Sequence, residues 1–162
     1  MLKGRTKVLV AGGGPAGSMA AILLAREGIE VTLCEREKFP RYHIGESLLT
    51  SAIPLLKFVG AHERVARHGF VVKHGGFFRI RHGEPAGYVD FTKLSRHRHS
   101  YQVVRSEFDA ILLDHARAQG ATVYEQTAVA SLEAANSHAA TRSVRTRASA
   151  ARCRGSASCR RA

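Results

Sequence analysis

Lys7-Val8-Leu9-Val10-Ala11-Gly12-Gly13-Gly14-Pro15-Ala16-Gly17 decides the fold. The apolar run Val8–Ala11 is long enough for a strand buried in a parallel sheet. Three glycines interrupt it, and a helical pattern follows. Ala16, Met19, Ala20, Leu23 and Leu24 fall at i, i+3, i+4, i+7 and i+8, one apolar face of a helix. Gly28 stands where a helix ends on a left-handed residue. Ile29-Glu30-Val31-Thr32-Leu33-Cys34 reads as a second strand, and Glu35 ends it.

Strand, glycine turn, helix, strand and acid are the parts of a dinucleotide site. Gly12 permits the tight turn, Gly14 lets a pyrophosphate approach the backbone, and Gly17 lets the helix lie close to the sheet. Pro15 and Ala16 open the helix, whose free N–H groups and positive dipole end face the phosphates. Glu35 follows Gly12 by 23 residues, near the spacing of about 20 at which a carboxylate meets the ribose hydroxyls. The acid disfavours a 2′-phosphate, so NAD and FAD stay open at this point. Arg36, next in sequence, joins the candidate cofactor contacts. Downstream, Ser106-x-x-Asp109 has the form of a capping box for a helix carrying Phe108, Ile111 and Leu112. Gly120 ends that helix, and Thr122-Val123-Tyr124 reads as another parallel strand. The expected fold is α/β, a Rossmann-like doubly wound domain on a parallel sheet.

Charge separates two parts of the chain. The 162 residues carry 25 Lys+Arg against 13 Asp+Glu, a net charge of +12, with 44% hydrophobic residues. Residues 135–162 hold seven Arg, no Lys and no acid, which leaves 1–134 with 18 basic residues against 13 acids. Ala, Ser and Arg make up 20 of those last 28 residues. The expected organisation is a nucleotide-binding domain over 1–134 and a disordered basic tail over 135–162, a composition that a reading-frame slip would also produce. The tail has no aromatic residue to stack on bases, so a basic nucleic-acid module is the weakest alternative. No apolar run is long enough for a transmembrane helix. The three cysteines, at 34, 153 and 159, form no disulfide framework and suit a reducing cytoplasm. Arg96-His97-Arg98-His99 lacks a third ligand at suitable spacing, and no metal site is expected.

Phe39-Pro40-Arg41-Tyr42-His43-Ile44-Gly45-Glu46-Ser47-Leu48-Leu49 resembles the Pro-Arg-x-His-x-Gly-Glu-Ser-Leu-Leu signature of the FAD-dependent halogenases. These enzymes lie within the glutathione-reductase-like flavoprotein monooxygenases. Gly69-Phe70-Val71-Val72-Lys73-His74-Gly75-Gly76-Phe77-Phe78 is similar to that family's lysine segment, and Val103-Val104-Arg105-Ser106-Glu107-Phe108-Asp109 to its Val-x-Arg-x-x-Phe-Asp element. The resemblance covers residues 5–133, the front part of such an enzyme.

It implies FAD as cofactor, with a separate flavin reductase supplying it reduced. It also implies O2, chloride or bromide, and an electron-rich aromatic substrate, free or carrier-bound. Lys73 matches the lysine whose ammonium directs hypohalous acid at the ring. Arg41, Ile44, Gly45, Glu46 and Ser47 would lie along the flavin, and Arg105 would reach its phosphates or ribityl chain. Ser47 also reads as a helix N-cap before Leu48-Leu49. Zero Trp leaves no place for the family's Trp-x-Trp-x-Ile-Pro motif, and a later Gly-Asp segment is missing. This chain alone is expected to bind FAD weakly at most, without efficient halogenation. The alternative within the superfamily is another FAD-dependent monooxygenase or a geranylgeranyl-reductase-like flavoprotein.

Overall fold

The computed structural model describes residues 6–94, 96–133 and 143–148. In chain order the elements are β1 (Val8–Ala11), α1 (Pro15–Arg26), β2 (Val31–Cys34), α2 (Ala52–Phe58), α3 (His62–His68), β3 (Val71–Lys73) and β4 (Gly75–Phe78). They continue with β5 (Gly87–Asp90), α4 (Phe91–Leu94), β6 (Ser100–Gln102), α5 (Arg105–Ala118), β7 (Thr122–Tyr124), β8 (Thr127–Glu133) and β9 (Ser143–Ala148).

The central sheet has the order β1-β2-β7, and both pairings are parallel. Val10 sits opposite Leu33, and Leu33 opposite Val123. As the middle strand β2 is buried at all four positions. That explains why its sequence is an unbroken Val-Thr-Leu-Cys run rather than an alternating one. Parallel neighbours need a crossover, and α1 supplies it between β1 and β2. Helices α1 and α5 pack against each other. Ile22, Leu33, Phe108, Leu112 and Leu113 form the centre of the core, joined by Ile53 and Leu56 from α2, Val65 from α3, and Val59 and Ala61 from the turn between them. Each such side chain contributes roughly 1.5–3 kcal/mol on burial.

The helix ends show how local sequence sets the elements. Helix α1 stops in a double turn, with the N–H of Gly28 donating to the Ala25 carbonyl and that of Ile29 to the Leu24 carbonyl. This closure engages the N–H of Ile29, and the second strand starts at Val31 rather than Ile29, with the Glu30 carbonyl just before it accepting the Val8 N–H at 3.1 Å. Ser106 and Asp109 do not form a capping box. The N-cap of α5 is Val104, with no side-chain cap, and Ser106 lies within the helix. Ser47 is not an N-cap either. It forms an isolated antiparallel bridge with Gln102, and the next helix, α2, begins at Ala52.

Among the described residues there are also three two-stranded antiparallel sheets: β3 with β6, β4 with β5, and β8 with β9. Strand β9 lies within the segment expected to be disordered. Its sequence Ser-Val-Arg-Thr-Arg-Ala alternates β-branched residues with arginine, a six-residue strand signal lost in an average over 28 residues. The remainder of that expectation, 135–142 and 149–162, lies outside the described residues, as do Cys153 and Cys159. Among the described residues no helix is long and apolar enough to cross a membrane.

Candidate cofactor site

The glycine turn is built at the carboxyl end of β1, where ligands bind in open α/β sheets. Gly12 has φ +103°, a left-handed conformation that favours glycine, and its N–H donates to the Cys34 carbonyl at 2.8 Å. Gly14 is the N-cap of α1, with no side-chain cap, and Pro15 opens the helix. A Cβ at Gly17 would overlap the carbonyl oxygen of Gly12 and lie 3.3 Å from Val10 Cγ1. The helix can therefore approach the turn only with glycine there.

Glu35 is buried. Its Oε2 accepts the Gly13 N–H at 2.6 Å and its Oε1 accepts the Glu37 N–H at 2.9 Å. These bonds fix the carboxylate at the end of β2 and leave each oxygen further acceptor capacity. Arg36 points away from it, three-quarters exposed and paired with Glu37 at 3.4 Å. A cleft of about 340 Å³ runs past Gly12, Gly14, Glu35 and Arg41 and is closed by Thr127, Ala128 and Val129 of β8. Sequence reading missed that wall. Thr127-Ala128-Val129 carries no polar side-chain signature beyond one threonine, and it is brought to the cleft by the Thr127 N–H, which donates to the Glu35 carbonyl at 2.7 Å.

Arg41 is almost fully buried. Its Nη1 donates to Asp109 Oδ2 at 3.3 Å, and its Nη2 lies 3.9 Å from Glu35 Oε2. Its guanidinium also lies over the Phe39 ring, 4.7 Å from the centroid. Arg105, the first residue of α5, donates from Nη1 to the Ile44 carbonyl at 2.7 Å and to the Gly45 carbonyl at 3.3 Å. Asp109 joins both arginines and is the residue that sequence reading assigned to the wrong task. Its separation of four from Arg105 on a helix is the signal that could have found it.

A second hollow, about 390 Å³, is lined by residues 42–47 and Gln102. The Ile44 side chain is exposed there, and Gly45 turns the loop with φ +100°. The Glu46 carbonyl accepts the Val103 N–H at 2.8 Å, which ties the loop to the residue after β6. Lys73 ends β3 and donates from Nζ to Ser47 Oγ at 2.5 Å. The same Nζ lies 5.5 Å from the centroid of the Phe91 ring. Partial burial pushes the Lys73 ammonium below the ordinary lysine range.

Two groups of expected site residues thus come together. Gly12, Gly14, Glu35 and Arg41 line the cleft, and Pro15, Ala16 and Gly17 follow Gly14 in the first turn of α1. Ile44, Gly45, Glu46 and Ser47 gather around the hollow, with Lys73 behind Ser47. Arg105 joins the two, while Arg36 lines the cleft with its side chain turned to solvent. The parts fit a flavin dinucleotide. An uncapped helix start with no Cβ at Gly14 suits the pyrophosphate, a fixed carboxylate suits the ribose, and the hollow beyond suits the flavin end.

Known proteins resemble this chain in sequence and fold. The family model described as FAD binding domain matches residues 5–155. Flavin-dependent halogenase armH1 of Armillaria mellea is 51% identical over 118 residues, 73% of this chain and 23% of that protein. Tryptophan 2-halogenase of Chondromyces crocatus is 50% identical over 132 residues, 82% of this chain and 25% of that protein. The solved structure of the myxobacterial chondrochloren halogenase CndH, described as an FAD-dependent halogenase variant, superposes with a TM-score of 0.78 at 35% identity. It covers 89% of this chain and 33% of its own. The chain spans about a quarter of the length of the curated relatives it matches. The chain belongs to the FAD binding domain family, it takes FAD as its cofactor, and its sequence matches the FAD-binding portion of flavin-dependent halogenases.

Proposed function

We propose that this chain is the FAD-holding front of a flavin-dependent halogenase that works on an electron-rich aromatic substrate, with Lys73 as its catalytic residue. The observation that carries the reading is the Lys73–Ser47 hydrogen bond. It joins the two segments most specific to the resemblance, 39–49 and 69–78, at one point beside the hollow. When bound and reduced, FAD supplies the reactivity toward O2 that converts halide to hypohalous acid. The chain's own residues bind, orient and donate. Gly14 and the N-terminus of α1 receive the pyrophosphate, Glu35 the ribose, and the 42–47 loop the flavin end. Ser47 holds the Lys73 ammonium as a hydrogen-bond donor aimed at one place. Partial withdrawal from water strengthens that donor toward a hypohalite oxygen. The partners in this reading are a flavin reductase, halide, O2 and a free or carrier-bound aromatic compound. A reducing cytoplasm is the compartment, with Cys34 a buried free thiol.

Titration of the purified chain tests the cofactor reading. FAD binds at least tenfold more tightly than FMN, because FMN lacks the adenosine and second phosphate that the cleft receives. Equal affinities would sink it. In an enzyme of the relatives' full length built on this segment, Lys73→Ala lowers halogenation about 100-fold or more and leaves FAD affinity unchanged.

The pH dependence has a definite sign. The acting form is the ammonium, and its folded value is depressed. Halogenation therefore falls on the alkaline side as pH rises through a value below the ordinary lysine range. Folding has the opposite dependence. The native state binds fewer protons at Lys73 than the unfolded chain does, so the penalty of burying the ammonium is present at neutral pH and relieved as pH climbs. Urea titrations of wild type and Lys73→Met across pH read that difference.

A further inference from the structure

Asp109 is fully buried on α5. A buried carboxylate is costly unless it is paired and hydrogen-bonded. Arg105, one turn earlier, grips it with a fork, Nε to Oδ1 at 2.8 Å and Nη2 to Oδ2 at 3.0 Å. The remaining Arg105 nitrogen, Nη1, holds the Ile44 carbonyl of the loop. Among the described residues Asp109 has one further charged partner, Arg41, at 3.3 Å from Oδ2. The other end of the Arg41 guanidinium, Nη2, lies 3.6 Å from the point where a Cβ on Gly14 would stand. It is therefore beside the place where a pyrophosphate meets the start of α1.

These contacts form a chain of command from helix to turn. Arg105 fixes Asp109, Asp109 fixes Arg41, and Arg41 faces the glycine turn. The charges close on themselves. Arg41 and Arg105 are balanced by Asp109 and Glu35, so the buried group is neutral before a ligand arrives. Arg41 has a long side chain with several rotatable bonds, and holding it in one place removes an entropy cost that binding would otherwise carry.

We propose that Asp109 is a positioning residue for FAD, acting through Arg41, which it holds at the glycine turn ready for the pyrophosphate. The inference rests on the FAD reading of the cleft.

A double-mutant cycle on FAD affinity, read by flavin fluorescence on the full 162-residue chain, tests it. Asp109→Asn keeps the size and removes the charge. It weakens FAD about tenfold in the wild-type background, the scale of one charge-assisted hydrogen bond. In the Arg41→Met background the same change weakens FAD less than threefold, because the group it acts through is gone. A merely structural Asp109 gives the same loss in both backgrounds, and that additivity overturns the proposal. So does an Asp109→Asn chain that binds FAD as tightly as wild type. If Asp109→Asn does not fold, Asp109→Glu takes its place in the cycle, keeping the counter-charge and displacing it by one methylene, and the same two outcomes decide. A wild-type chain that does not bind FAD at all overturns the cofactor reading together with this one. A wild type that binds, with additive variants, overturns the positioning role alone.

Discussion

Two regions of this molecule treat their apolar residues in opposite ways. In the glycine-turn half, made of β1, α1, β2, α5 and β7, Ile22, Leu33 and Leu112 are completely buried. In the hairpin of β4 and β5, Phe77 is 75%, Ile80 92% and Tyr88 56% exposed. Both regions are rich in apolar and aromatic residues, so composition does not separate them. The difference lies in what each can cover. Strand, turn, helix and strand follow one another within 8–34, and each element buries the face of the last. The hairpin is a two-stranded ribbon, and such a ribbon has too little surface to hide its own side chains. Phe77 and Tyr88 do lean on each other, with ring centroids 5.1 Å apart, but a single aromatic pair leaves most of both rings in solvent.

The largest effect expected from this contrast comes from Gly17→Ala. The added methyl meets a backbone carbonyl that cannot swing away, so α1 must shift from β1. A loss of about 3 kcal/mol follows, at the upper end for overpacking by one methyl group, and FAD binding is lost with it. Urea denaturation and an FAD titration measure both. A loss below about 1 kcal/mol would show that the turn relaxes freely and that the glycine-turn half is not the rigid member of the pair.

Gly28→Ala sharpens the same point by separating conformation from contact. Gly28 has φ +71°, and a Cβ there would meet nothing within 4 Å. The cost is only that of the left-handed backbone, about 1 kcal/mol. If thermal unfolding shows Gly28→Ala as harmful as Gly17→Ala, steric closeness is not what distinguishes the turn.

The same contrast marks what could be read in the sequence. The first βαβ unit was legible because every partner is local. Val8–Ala11, the glycines, the α1 periodicity and Glu35 lie within 28 residues, and β7 announced itself after Gly120. The start of β2 was misplaced by two residues because the N–H of Ile29 closes α1. The site was legible in identity and not in arrangement. Ser47 looked like a helix cap because serine before two leucines favours one, yet its hydroxyl bonds a lysine 26 residues away. Asp109 looked like half of a capping box, yet its partners include an arginine 68 residues earlier. Local propensity proposes the nearest backbone partner. A side chain in a folded core takes the partner that satisfies its charge, and that choice exists only once the sheet has brought distant loops together.

The smallest effect belongs to the hairpin. Ile80 lies between β4 and β5 and is more exposed than any other large apolar residue described. Ile80→Ser removes little buried area, so the unfolding free energy of this chain changes by less than about 0.5 kcal/mol, the range of ordinary surface substitutions. The serine also shrinks an apolar patch that includes Phe77 and Tyr88, and contiguous exposed patches promote self-association. Sedimentation at rising concentration therefore shows less association for Ile80→Ser than for wild type, with the urea midpoint unmoved. A destabilisation above about 1 kcal/mol would mean that Ile80 packs against something in the folded chain. The hairpin would then be a second self-covered region, and the contrast with the glycine-turn half would disappear.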